Sequence, residues 1–278
     1  MAVYGRELVR ESPQTLHEQT LGSLLNETFV IYSKQIWKFM RLVAVVQVPV
    51  GLLALMPRDN VAIFVILEVL RLLALVCVYG AMVRAVGQHY LKGDIDIASC
   101  YSNVWHRVLS LGALGAAVAV VGLGSDYLGT TALTGQSAAG AIFFVLGIPI
   151  LALLVYSVFA PPAVMMEGLN PIGAVRRSYM LVRGSWWKVF GVSLVIVLVI
   201  LGLGILLSIP FALASALAGI GEPSAMARAV LTLNDIVVGV VVLPVLFTGM
   251  TLLYYDLRVR KEHFDLEALT QEMGVAAT

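Results

Sequence analysis

The chain has 278 residues, of which 60% are hydrophobic and 13% are charged, and its mean hydropathy is +0.93. Soluble domains average about 45–50% apolar and about 25% charged residues, so this composition indicates an integral membrane protein. The net charge of +1 provides no global field that would attract nucleic acid. The two cysteines and four scattered histidines lack the spacing of a disulfide framework or a metal site. We therefore expect no nucleic-acid partner, no metal and no cofactor.

The chain divides into a polar segment, 1–15, an integral membrane domain, 16–256, and a charged tail, 257–278. About 20 helical residues at 1.5 Å each cross a bilayer core of about 30 Å. Six stretches are apolar enough to do so: 39–56, 61–83, 108–123, 138–166, 189–218 and 229–255. We expect prolines to interrupt the last three of these spans, at Pro149, Pro161, Pro162, Pro210 and Pro244. The predicted fold is all-α and polytopic, with six transmembrane helices.

Residues 170–188 lie between two apolar spans and have the pattern of a helix lying in the membrane surface. Apolar residues that would face the acyl chains recur three and four positions apart: Ile172, Val175, Tyr179 and Val182. Four cations are candidates for contact with lipid headgroups: Arg176, Arg177, Arg183 and Lys188. The alternative is that these cations only obey the positive-inside rule. Glu167, just before this segment, is a candidate either to cap the helix or to pair with these arginines.

The pattern of a surface helix followed by a membrane span recurs along the chain. Five residues near the N-terminus, Phe29, Tyr32, Lys34, Trp37 and Lys38, align without a gap to Tyr179, Val182, Gly184, Trp187 and Lys188. Residues 95–108 are predicted to form a shorter surface helix, and Trp37, Trp105 and the Trp186-Trp187 pair are each expected where an odd-numbered span begins. A threefold repeat of surface helix plus transmembrane hairpin is therefore one interpretation, with two or three interfacial amphipathic helices.

The distribution of basic residues predicts the orientation. The N-terminus, the two long polar loops, the tail and the adjoining span ends hold Arg6, Arg10, Lys34, Lys38, Arg41, Arg84, Lys92, Arg107, Arg176, Arg177, Arg183, Lys188, Arg258, Arg260 and Lys261. The opposite loops hold only Arg58 and Arg228. By the positive-inside rule both termini are expected to be cytoplasmic.

Several polar residues fall inside the predicted spans. They are Gln47, Glu68, Arg71, Asn234 and Asp235. A charge at such depth costs about 2.5 to 3.5 kcal/mol on insertion scales, so these side chains are expected to face the bundle interior and one another. Two interpretations stay open: a site for an anionic substrate, a headgroup or protons, or a clamp of Arg71 between Glu68 and Asp235 that only fixes helix packing.

Three segments carry a resemblance to a known family: LGSLLNETFVIYSKQIWKF, NPIGAVRRSYMLVRGSWWKVFGV and TLLYYDLRVRKEHFDLEAL. They resemble the membrane domain that some bacteria fuse to glycerophosphodiester phosphodiesterases, which also occurs alone in bacterial and archaeal membrane proteins. The hydrolase of that family is a separate soluble barrel, and no part of this chain outside the membrane domain is large enough to form one. The resemblance therefore implies the membrane domain and not the hydrolase activity.

These observations favour a non-enzymatic membrane protein. Such a protein would bind lipid, including anionic lipid, or a membrane or cytoplasmic partner protein through its cationic surface helices. The alternative is a small transporter or lipid-handling protein with a polar intramembrane site.

Overall fold

The computed structural model describes residues 20–53, 55, 61–133, 147, 149–217, 225–262 and 271–273, and within these ranges the chain is helical and has no β-strand. The principal helices are α1 (Leu21–Lys34), α2 (Ile36–Leu53), α3 (Val61–Lys92), α4 (Ile97–His106), α5 (Val108–Leu133), α6 (Ala160–Glu167), α7 (Pro171–Val182), α8 (Trp186–Leu217) and α9 (Ala225–Glu262). The predicted all-α class is confirmed. The polar segment 1–15 lies outside the described residues.

Within the described residues, five stretches are long and apolar enough to cross a membrane: Ile36–Leu53, Ala62–Lys92, Pro149–Glu167, Trp186–Ser215 and Arg228–Glu262. A sixth span is formed if Ile97–His106 and Val108–Val120, which meet at a bend of 79°, are counted together. The chain is thus a multi-pass membrane protein, with five or six candidate spans among the described residues. In the alternative reading of that bend, α4 is a surface helix and α5 alone enters the membrane.

The long helices α3 and α9 form the centre of the bundle. Helix α3 packs against α2, α4, α5, α6 and α9, and α9 packs in addition against α1, α7 and α8. At 1.5 Å per residue the 32 residues of α3 and the 38 of α9 extend about 48 and 57 Å, beyond a bilayer core of about 30 Å. Their C-terminal turns therefore pack among α1, α4 and α7, on what is called here the surface-helix side.

Helices α2, α5 and α8 begin at corresponding positions of the three predicted units. The carbonyls of Gln35, Arg107 and Ser185 accept the backbone N–H of Phe39, Leu111 and Val189, respectively, at 3.0 Å in each case. Phe39, Leu111 and Val189 are all fully buried. The first and third helix starts are 150 residues apart, which is the register of the ungapped alignment between the two segments.

The surface helices repeat the same inward-facing pattern. Each buries a small polar side chain at the equivalent position, namely Thr28 in α1, Cys100 in α4 and Ser178 in α7. The outward-facing tryptophans do not repeat fully. Trp37 and Trp187 are the second residues of their spans, whereas Trp105 belongs to the last turn of α4. The second unit has Leu109, 87% exposed, at the tryptophan position, so the prediction that Trp105 begins a span was wrong by one helical turn.

The prediction of proline-broken spans was wrong for the last two spans, because α8 and α9 continue through Pro210 and Pro244. The fourth span is interrupted beside the predicted proline pair. Its turn lies at 158–159, and Pro161 falls in the first turn of α6, where a missing N–H leaves no helical hydrogen bond unmade. The N–H of Phe159 at this turn donates to the buried hydroxyl of Ser178 at 3.1 Å, which ties the fourth span to α7.

Candidate functional site

A polar cavity of about 600 Å³ lies between α2, α3 and α9. Its wall includes Gln47 from α2, Glu68 and Arg71 from α3, and Asp235 from α9. These four residues, predicted separately from four positions in sequence, therefore line one space. Asn234, the fifth predicted member, does not line this cavity, and its partly buried amide oxygen has no partner among the described residues.

Glu68 and Arg71 form an ion pair one helical turn apart, and Arg71 Nε donates to Glu68 Oε1 at 3.0 Å. The Glu68 side chain is 14% exposed, whereas the Arg71 side chain is 64% exposed. Asp235 is also exposed, and in the described part of the chain it makes no ion pair with Arg71. The predicted clamp of Arg71 between two acids is therefore wrong. The cavity separates Asp235 from the pair.

A glycine on the facing helix leaves room for the Gln47 side chain in the cavity wall. A Cβ built at Gly239 of α9 would lie 2.7 Å from Gln47 Nε2, which is too close for a normal contact. One turn away on each helix, Gly51 of α2 makes a similar approach to Ile236. The close packing of α2 on α9 thus depends on two glycines and brings the carboxamide of Gln47 beside the polar cavity.

Two apolar spaces adjoin the polar cavity. The apolar groove, about 600 Å³, runs between α8 and α9 and shares Val238 with the polar cavity. The apolar cavity, about 480 Å³, lies among α3, α5, α8, α9 and the fourth span, and it shares Leu75 with the polar cavity. A molecule with one polar and one apolar end would therefore find both environments within one helical turn.

The outer face of α7 agrees in part with its predicted membrane contact. Ile172 is 83% exposed, and Val175 and Tyr179 are also exposed. Val182 was expected to face the acyl chains, but it is fully buried. It packs with Ala174, Ser178 and Leu181 on the inner face, because the helix turns that side toward the bundle core.

The four predicted headgroup cations separate into two classes. Arg177 forms ion pairs with Glu167 and Glu262, and Lys188 Nζ lies 2.5 Å from Asp256 Oδ2. Arg176 and Arg183 are exposed, and their side chains make no ion pair within the part of the chain that the structure describes. Arg177 and Lys188 are thus paired with acids of the protein, and headgroup contact by these cations stays a prediction.

Arg177 belongs to an ion-pair network of which the sequence predicted only the pairing with Glu167. Glu167 accepts from Arg177 Nε at 2.7 Å and from the Tyr254 hydroxyl at 2.7 Å. Arg258, whose side chain is 8% exposed, pairs with Glu262 at 3.2 Å and with Glu272 at 2.8 Å. Burial lowers the pKa of the Arg177 guanidinium, but its hydrogen bonds to Glu262 and Glu167 outweigh this and raise the pKa above its ordinary value.

The sequence did contain a signal for this network. Asp256 with Arg260 and Arg258 with Glu262 are acid and base four residues apart, a spacing at which helical side chains meet. From the sequence, the membrane domain was predicted to end at Asp256 and the residues after it to form a charged tail. In the structure α9 continues through them to Glu262, and Asp256 and Arg258 are buried.

Comparison with known families gives one match. Residues 61–257 match the model described as "Domain of unknown function (DUF7847)". The chain belongs to the DUF7847 family. The search of curated proteins and the search of solved structures each found no match.

The DUF7847 match covers α3 to most of α9 and so contains Glu68, Arg71 and Asp235, together with all of α7. The α1 and α2 helices, and with them Gln47, lie before it. The resemblance to the membrane domain of glycerophosphodiester phosphodiesterases stays a prediction. Within the described residues of this DUF7847 protein, no group of three or more His, Cys, Asp or Glu side chains is arranged to hold a metal ion.

Proposed function

We propose that this protein is a non-enzymatic membrane protein that handles lipid, and that the polar cavity is its binding site. The observation that carries the proposal is that Gln47, Glu68, Arg71 and Asp235 line a single cavity of about 600 Å³. Ionisable groups within membrane spans are costly and are typically found at substrate or ion pathways. Pockets with a few convergent polar groups in a largely apolar setting are the usual form of small-ligand sites.

The exposure of the charges favours a ligand site over a packing clamp. A buried ion pair offsets the cost of its desolvation only when the geometry is good and the remaining hydrogen bonds of both partners are satisfied. Here the Arg71 side chain is 64% exposed, and Asp235 on the facing helix makes no ion pair within the described residues. Both charges therefore retain capacity for an external partner.

For orientation, we place the surface-helix side in the cytoplasm of a prokaryotic cell, with both termini on that side. The positive-inside rule supports this placement, since the fifteen Lys and Arg named above belong by sequence to the N-terminus, the long polar loops, the tail and the adjoining span ends, against two in the opposite loops. The polar cavity then opens toward the outer half of the membrane, where α2 ends and α3 begins.

A second candidate function is binding of anionic lipid, or of a partner protein, through the surface helices. Two observations favour it. Trp37, Trp105 and Trp187 are 70, 75 and 78% exposed, as expected of side chains that sit at a membrane interface. Arg176 and Arg183 are exposed cations at the same level, and each such charge contributes about 1 kcal/mol near an anionic surface.

Native mass spectrometry of the gently detergent-extracted protein tests the proposal. The wild type should retain a lipid, and Arg71→Met should lose it. Arg228→Met is the matched control, because Arg228 is an exposed cation on α9 that does not line the cavity. Retention of the same lipid by Arg71→Met and Arg228→Met alike would refute the proposal.

A triple variant separates ligand binding from folding. Glu68→Gln, Arg71→Met and Asp235→Asn together remove all the charge from the cavity while conserving side-chain size. Replacing buried ionic groups by neutral ones of similar volume is often tolerated in stability. We expect the triple variant to unfold near the wild-type temperature but to retain no lipid. A triple variant that keeps the lipid would assign the cluster to packing alone.

A further inference from the structure

The polar cavity carries charges of both signs on facing walls. Arg71 lies on α3 and Asp235 on α9, and each is exposed. Glu68 is mostly buried and shares a helix face with Arg71, so its role is to hold the guanidinium in position. Since the guanidinium has five N–H donors and Glu68 engages two of its nitrogens, Arg71 retains donors for a second anionic group.

The charge balance of the cavity discriminates between ligand classes. Two carboxylates and one guanidinium line it, so a purely anionic group at Arg71 would also meet the fields of Glu68 and Asp235. A purely cationic group would leave the exposed face of Arg71 unpaired. A ligand with an anionic and a cationic group a few ångströms apart can pair with both walls. The same arrangement disfavours ligands that carry charge of only one sign.

The surroundings of the cavity supply the place for an apolar end. Val238 lies one helical turn from Asp235 and lines both the polar cavity and the apolar groove between α8 and α9. The groove wall includes Leu201 and Ile205, which are 55 and 60% exposed and so face the acyl chains of the membrane. An acyl chain in this groove remains continuous with the bilayer while the polar group of the same molecule sits in the cavity.

We propose that the polar cavity binds the headgroup of a zwitterionic phospholipid, with the phosphate at Arg71, the ammonium at Asp235 and an acyl chain in the apolar groove. This inference rests on the proposed lipid-binding function and adds the chemical class of the lipid. A charge-assisted hydrogen bond contributes about 1.5–3 kcal/mol, which corresponds to about a tenfold to hundredfold difference in affinity. The ammonium contact with Asp235 is therefore large enough to set selectivity.

The test uses the full-length protein in mixed micelles that contain equal amounts of phosphatidylethanolamine and phosphatidylglycerol of matched acyl chains. Bound lipid is quantified by native mass spectrometry. We expect the wild type to retain phosphatidylethanolamine about tenfold over phosphatidylglycerol. Asp235→Asn should abolish this preference, Asp235→Glu should restore it, and Arg71→Met should lose both lipids.

The possible results distinguish failure of the zwitterionic inference from failure of the proposed lipid-binding function on which it rests. If phosphatidylglycerol is retained equally or better, and its retention depends on Arg71, the zwitterionic inference is overturned while lipid binding at the cavity stands. If no lipid is retained, or if retention ignores Arg71 and Asp235, both fail. Thermal unfolding of each variant is measured beside the binding, and the Asp235→Glu variant keeps the charge test available if Asp235→Asn does not fold.

Discussion

Neighbouring arginines of α7 provide a sharp test of the distinction between internal and membrane-facing cations. Arg177→Gln removes the base that pairs with Glu167 and Glu262, whose side chains are only 16 and 28% exposed. Arg176→Gln changes an exposed side chain on the same helix that makes no ion pair within the described residues. The two substitutions are chemically identical and one residue apart, so any difference between their effects reflects the surroundings of the two side chains.

The magnitude follows from burial and from the partners that remain. Breaking a buried ion pair costs about 3–5 kcal/mol, and an exposed pair about 0–1 kcal/mol. The Arg177 side chain is 21% exposed, Glu167 keeps the Tyr254 hydroxyl, and Glu262 keeps Arg258. We therefore expect a loss of about 2 kcal/mol for Arg177→Gln and less than about 0.5 kcal/mol for Arg176→Gln.

The assay is thermal unfolding of both variants in the same detergent, with retention of phosphatidylglycerol as a second readout. For a chain of this size, 2 kcal/mol corresponds to a decrease in Tm of about 4–8 °C. Arg176→Gln should leave Tm nearly unchanged and reduce phosphatidylglycerol retention if the surface helices bind anionic lipid. An Arg177→Gln variant with wild-type Tm and reduced lipid retention would refute the internal assignment and favour Arg177 as a headgroup contact.

Two further predictions concern glycines. Gly168 and Gly184 both have positive φ, 72° and 84°, so alanine at either position should lower the free energy of unfolding by about 1–2 kcal/mol, because it must adopt a left-handed conformation. In denaturant unfolding Gly168→Ala should lose more stability than Gly184→Ala. A Cβ at Gly168 would lie 3.1 Å from Arg107 Nη1, whereas nothing lies within 4 Å at Gly184. Gly239→Ala should displace the flexible Gln47 carboxamide and weaken lipid retention with a Tm change of only a few degrees, whereas Gly202→Ala, with nothing within 4 Å and outside the lining of the polar cavity and the apolar groove, should retain lipid normally. Equal costs at Gly168 and Gly184, or normal retention by Gly239→Ala, would contradict the packing described.

The sequence by itself determined the class of protein and the outline of its fold. Apolar stretches of 18 or more residues must form helices in a bilayer, since no water is present to satisfy the backbone, and this fixed the spans. Local periodicity located α7, and the ungapped alignment of Lys38 with Lys188 pointed to α1. The same alignment matches the first residues of α2 and α8, Ile36 and Trp186. Spacing of three predicted the pair of Glu68 with Arg71.

Only the tertiary structure decided which side of each surface helix faces inward and which charges meet. Periodicity gives a helix two faces but does not say which one a neighbour covers, so Val182 was assigned outward and is buried. The partners of Arg177 come from positions 10 and 85 residues away. Likewise, Gln47, Arg71 and Asp235 line one cavity because α2, α3 and α9 pack together, a contact between distant segments that no local pattern encodes.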